Sequence, residues 1–187
     1  AIMAMRPDAR ALFLYAPLEA YLASIARKGM WGRLWVRDLF GKLLREGMLG
    51  ALGIAPEAFF GLTDLQVAAA GWLAQQQQFQ SLADTLKQRV ATLDSETFVD
   101  RPYDTLDALG QFFEFELDPS AITAIINGPV FGRDAKNGDA FAPGKRAADA
   151  RSGVALHAEE LEKVVVWAHH VADSAGICVA LPQPLIR

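Results

Sequence analysis

The sequence predicts an α/β fold in which a small parallel sheet sits among many helices, and three observations support this. Residues 9–24, ARALFLYAPLEAYLAS, pass from a continuous apolar run, Ala11 to Tyr15, straight into a helical stripe. An unbroken run of that length suits a parallel strand covered on both faces, whereas a half-exposed strand alternates. A second run, Val90 to Leu93, precedes another helix opened at Pro102. Most of the remaining chain repeats apolar residues at helical spacing.

Pro17 stands in the first turn of the first helix, where its missing N–H costs nothing. Leu18, Tyr21, Leu22 and Ile25 then recur at i, i+3, i+4 and i+7, and Gly29 ends the helix after Arg27 and Lys28. The next stripe, Leu34, Trp35, Leu39, Leu43 and Leu44, predicts a helix over Trp31 to Met48. Gly47, Gly50 and Gly53 mark a loop, followed by a short helical turn at Pro56 to Phe60. Thr63 and Gln66 have capping-box spacing and open the longest helix, whose stripe is Leu65, Ala69, Trp72, Phe79, Leu82 and Leu86. Gln75 to Gln78 read as its solvated face.

After the second strand, Leu106, Leu109, Phe112 and Phe113 form the buried face of the Pro102 helix. Pro119 and Ser120 begin a short helix that stops at Asn127-Gly128. Val130 to Ser152 reads as a long irregular loop of the kind that binds ligands or closes over a site. A strong helix covers Ala155 to Ala175, and Ile177 to Leu181 reads as a short edge strand before Pro182 and Pro184. With 187 residues and no evident linker, the chain is expected to be one domain.

Composition narrows the function classes. Apolar residues make up 52% and charged residues 21%, which is globular. A net charge of −4 speaks against nucleic-acid binding through a general basic surface. No apolar run approaches the roughly 20 residues of a membrane span, and the first residues lack a signal-peptide pattern. Cys178 is the one cysteine, so no intramolecular disulfide forms and a reducing, cytoplasmic location is expected. Ile177, Val179 and Ala180 around it predict an inert thiol in a packed strand. A homo-oligomer is left open.

Familiar catalytic motifs are absent. Gly138 to Arg146 has one residue too many for a Walker loop, carries arginine in place of Ser/Thr, and follows no strand. His169 and His170 are adjacent and point about 100° apart on a helix, so a shared metal ion is disfavoured. His157, near a helix start, is a weak neutral base. No G-x-S-x-G elbow accompanies the serines. Arg133, Lys136, Lys145, Arg146 and Arg151 are the more informative cluster, since guanidinium and ammonium groups supply charge-assisted donors to sulfate or phosphate. Arg27, Lys28, Arg33 and Arg37 form a second cluster whose place at helix ends points to structure.

Three stretches, residues 9–24, RVATLDSETFVDRPYDTLDALGQFF (89–113) and GPVFGRDAKN (128–137), together resemble the carboxy-terminal two-thirds of a bacterial sulfotransferase-like protein. The resemblance implies a helix-rich, P-loop-NTPase-like three-layer fold of the sulfotransferase type. It also implies transfer of a sulfuryl group from 3′-phosphoadenylyl sulfate to a hydroxyl or amine of a small-molecule acceptor. In that family a strand-end arginine and a helix serine hold the 3′-phosphate. Ser24 falls near the serine, while Tyr15 or Ala16 stands at the arginine position. Glu96 matches a structural glutamate that joins two elements, and Arg133 and Lys136 match the arginine and lysine of a phosphate-contacting loop, with Ala135 replacing its serine. Ser24, Arg133 and Lys136 are therefore the expected cofactor-binding residues. By the same resemblance the catalytic lysine, the phosphosulfate loop and the general base belong upstream of residue 1. A relative keeping the fold without catalysis is the alternative, and an unrelated helical partner-binding domain is a third reading.

Overall fold

Ala11–Tyr15 forms strand β1 and Val90–Asp94 forms strand β2, paired parallel with Ala11 opposite Val90 and Tyr15 opposite Asp94. The computed structural model describes residues 2–129, 131–133 and 143–186, with side chains described for 3–129, 131–133 and 157–186. The helices are α1 (Ile2–Met5), α2 (Leu18–Arg27), α3 (Gly29–Arg45), α4 (Asp64–Leu86), α5 (Ser95–Asp100), α6 (Pro102–Phe113), α7 (Pro119–Ile126) and α8 (Pro143–Ala175). The α/β class expected from the two apolar runs is what the chain adopts: helix-rich, with a small two-stranded parallel sheet. The chain divides into two compact units, one of Ala1–Ala16, Ala83–Ala148 and Gln183–Arg187, the other of Pro17–Leu82 and Asp149–Pro182.

In the first unit β2 is buried from Val90 to Leu93, as its apolar run demands, whereas β1 is not covered on both faces as its run predicted: its other residues are half-buried and Leu14 is exposed. The Thr92 amide donates to the Gln183 carbonyl at 2.9 Å, and the Leu185 amide to the Thr92 carbonyl at 2.8 Å, so the chain's last residues run along β2. Arg89, at the strand's entrance, ties the amino-terminal segment down. Its guanidinium donates to the carbonyls of Ala9, Met3 and Arg6 at 3.1, 2.9 and 2.7 Å. Arg10 reaches the far end of α6, donating to the Phe112 carbonyl and the Glu114 carboxylate, with its guanidinium 5.8 Å from the Phe112 ring centre. Asp118 caps α7 through the Ala121 amide at 2.9 Å. The Ser120 hydroxyl foremost, with that amide, holds the Asp118 carboxyl below the usual carboxylate range.

In the second unit Leu18, Leu22 and Ile25 of α2 are buried, as their spacing predicts. Gly29, with φ of +57°, separates α2 from α3, a backbone angle that glycine adopts without a Cβ penalty. The Thr63–Gln66 capping box closes as expected: the Thr63 amide donates to Gln66 Oε1 at 2.9 Å and the Gln66 amide to Thr63 Oγ1 at 3.2 Å. Phe59, in the turn after Pro56, meets Phe40 of α3 edge-on at 4.6 Å.

Tyr21 of α2 is half-buried, and that burial pushes its phenol from 10 up to about 12. The neutral form is favoured in the folded state, so its contribution is complete below about pH 10 and drains away as pH rises toward 12, at about 1.4 kcal/mol per unit. Denaturant midpoints should therefore fall between about pH 10 and 12 in the wild type and less steeply in Tyr21→Phe. Identical slopes would show that the phenol is not the group responsible.

Several expectations are corrected. The second helix spans Gly29–Arg45 and buries Gly32, Val36 and Phe40, while Leu34, Trp35 and Leu44 are exposed. Gln76 is not part of a solvated face: it is 1% exposed, and neither atom of its amide has a partner. An unmet amide of this kind costs about 1–3 kcal/mol. Residues 143–152 are helical backbone within α8, which continues to Ala175 and bends at His157 (φ −130°, ψ 18°). The irregular stretch expected over Val130 to Ser152 is thus shorter at its far end. Ile177 to Leu181 is not a strand, because α8 ends in a glycine cap at Gly176 (φ +64°) and Gln80 takes the next polar groups. Gln80 Oε1 accepts from the Cys178 amide at 2.8 Å, and Gln80 Nε2 donates to the Gly176 carbonyl at 3.2 Å. Cys178 is consequently exposed rather than packed in a strand.

Candidate functional site

The carboxyl ends of β1 and β2 are where an open parallel sheet exposes strand-to-helix turns and, by general rule, where ligands bind. Tyr15 and Asp94 are opposite one another there. Asp94 is the N-cap of α5: its Oδ1 accepts from the amides of Glu96 (3.1 Å) and Thr97 (2.8 Å), and its Oδ2 from the Thr97 hydroxyl at 2.5 Å. A carboxylate bonded to those two amides occupies the donors that open α5. An acceptor joining strand to helix is Asp94, and Glu96 contributes its amide to that cap. The signal was legible as an aspartate closing an apolar run three residues ahead of a threonine.

Phe98 of α5 also positions a second piece of this end. Its ring meets that of Phe131 edge-on, with centres 5.7 Å apart, and Phe131 lies two residues before Arg133. The turn carrying Arg133 is thereby held against the helix that leaves β2, with the Arg133 side chain exposed. Among the three expected cofactor-binding residues, Arg133 belongs to this unit. Ser24 lies half-buried on α2 in the other unit. Lys136 lies outside the described residues, as do Ala135 and residues 138–142 of the Walker-like string. Lys145, Arg146 and Arg151 fall on the backbone of α8, where side chains are not described.

Within the second cationic cluster, Arg33 and Arg37 are structural, as its helix-end position suggested. Arg33 sits 3.6 Å from both Asp64 and Glu160, while Arg37 pairs with Asp64 and donates to the Leu62 carbonyl at 2.9 Å. Two arginines against two carboxylates leave no net charge for a ligand. His157 Nδ1 approaches Glu160 at 3.8 Å, and His169 Nε2 approaches Glu19 at 4.0 Å. Among the described residues no group of three or more His, Cys, Asp or Glu is arranged to hold a metal ion.

The residues present suit one end of the cosubstrate that the resemblance implies. An exposed arginine, Arg133, suits a phosphate group, and Asp94 at the start of α5 is already engaged with amide donors. The acidic cap does not suit a second anion at α5 itself. Comparison with protein-family models, with curated proteins and with solved structures gives no match to this chain.

Proposed function

We propose that the chain is a sulfotransferase-like protein, with a helix-rich, P-loop-NTPase-like three-layer architecture, that serves transfer of a sulfuryl group from 3′-phosphoadenylyl sulfate to a hydroxyl or amine of a small-molecule acceptor. The observation that supports this reading is the Phe98–Phe131 contact, which keeps the Arg133 turn at the carboxyl end of the parallel strands. In this reading Arg133 and Lys136 neutralise the cofactor's phosphates by charge-assisted hydrogen bonds. Binding and orientation are the roles that these residues take.

Calorimetry with 3′,5′-adenosine bisphosphate tests the assignment. Two charge-assisted contacts of about 1.5–3 kcal/mol each imply a loss of at least about a hundredfold in Arg133→Ala/Lys136→Ala. Unchanged affinity in that variant, or wild-type binding no tighter than millimolar, removes the site. A non-catalytic binding module on the same fold is favoured by one observation, the Asp94 cap that fills the donors at the start of α5. Cofactor binding without sulfuryl transfer to any of a panel of phenols and amines would decide for that second reading.

A further inference from the structure

Helix α3 has two apolar faces, and only one is packed. Gly32, Val36 and Phe40 are buried, whereas Met30, Trp31, Leu34 and Trp35 are 70%, 83%, 57% and 52% exposed. Trp31, Leu34 and Trp35 stand at i, i+3 and i+4, so they share one face, and Asp38, Lys42 and Arg45 continue it along the helix. Lys28 closes the other end, with its ammonium 5.9 Å from the Trp35 ring centre. Lys28, Trp31, Gly32 and Trp35 line a cleft of about 420 Å³. Apart from Lys28 this cleft has no charged side chain, so it is a largely apolar groove with a cationic rim.

Charge identifies the occupant. From Arg27 to Glu46 the sequence holds six Lys/Arg and two carboxylates, a local excess of +4 in a chain of net −4. Arg33 and Arg37 are absorbed by Asp64 and Glu160, and Lys42 is paired with Asp38 at 2.7 Å. With Asp64 and Glu160 counted, six Lys/Arg face four carboxylates, a local excess of +2, and the outward face carries Lys28 at one end and Lys42 and Arg45 at the other end of an apolar, tryptophan-rich centre. A second copy docking through the same patch would oppose cation to cation about a two-fold axis. An anionic lipid surface meets both features at once: indole rings settle at the headgroup level, and Lys/Arg pair with lipid phosphates. We propose that α3 is an interfacial membrane-docking helix that seats Trp31, Leu34 and Trp35 among the headgroups of an anionic bilayer. No helix among the described residues is long and apolar enough to cross a membrane, so docking is peripheral. This inference stands independently of the sulfotransferase reading.

Flotation with vesicles of phosphatidylcholine, with and without phosphatidylserine, tests it on the whole chain. The wild type should float with phosphatidylserine-containing vesicles, release as salt rises, and show a blue-shifted tryptophan emission when bound. Trp31→Ala/Trp35→Ala should weaken partitioning by about tenfold or more, because two large apolar contacts are lost. Far-UV circular dichroism should be unchanged, since both rings are exposed in the folded chain. Lys42→Gln/Arg45→Gln removes charge without touching the rings and should lower the preference for phosphatidylserine; it decides the matter should the tryptophan variant fold poorly. Absence of wild-type flotation, equal binding to neutral vesicles, or self-association abolished by the tryptophan variant would each overturn the proposal, the last assigning the face to a second copy.

Discussion

Gly32→Val should destabilise the second unit by about 3 kcal/mol, whereas Gly41→Ala on the same helix should leave stability unchanged or raise it by up to about 1 kcal/mol. The contrast comes from what a Cβ would meet. At Gly32 it would lie 2.7 Å from the Ile25 carbonyl oxygen and 2.8 Å from Lys28 Cβ, atoms held by the α2–α3 turn. At Gly41 the nearest neighbour is the flexible Arg45 guanidinium at 3.8 Å. Replacing a helical glycine gains about 1 kcal/mol of propensity with alanine and less with valine, so the close approach accounts for most of the difference. Urea denaturation of both variants checks it. Equal effects at the two positions would mean that α3 does not cross the end of α2 at this distance.

Arg89→Ala should cost about 3 kcal/mol in the first unit and loosen residues 3–9. One half-buried guanidinium serves three backbone carbonyls that precede β1, and no single smaller donor can reach all of them. Arg89→Lys keeps the charge but loses the fork, so it should recover less than half of the loss. Amide exchange of residues 3–15 should accelerate in both variants. Protection as in the wild type would show that α1 and its turn hold to the sheet without this clamp.

Much of this fold was legible because several signals agreed at each element. β1 and α2 combine an unbroken apolar run, an early proline and a helical stripe, and the capping box fixes where α4 begins. Failures arose where one pattern fits two arrangements. On α3 the stripe of Trp31, Leu34 and Trp35 is as periodic as that of Gly32, Val36 and Phe40, and spacing alone does not say which meets a neighbour. Gln76 reads as solvated because its neighbours in the run are polar, yet its position on the helix places it inside. Cys178 sits among apolar residues that suit a strand, but its backbone amide is claimed by a side chain remote in sequence, Gln80. At the proposed site, Arg133 is a candidate anion ligand from its chemistry alone. The contact that places it, Phe98 on Phe131, has no sequence signature, and neither does the division of Ser24 and Arg133 between two units.

Hydrogen exchange of the intact chain with and without 3′,5′-adenosine bisphosphate tests the phosphate-binding role of the strand-end turn most directly. Protection is expected in residues 128–136 and in Asp94 to Phe98, and it should vanish in Arg133→Ala/Lys136→Ala. Protection confined to other segments, or none at saturating ligand, would contradict the assignment of this turn as the cofactor site.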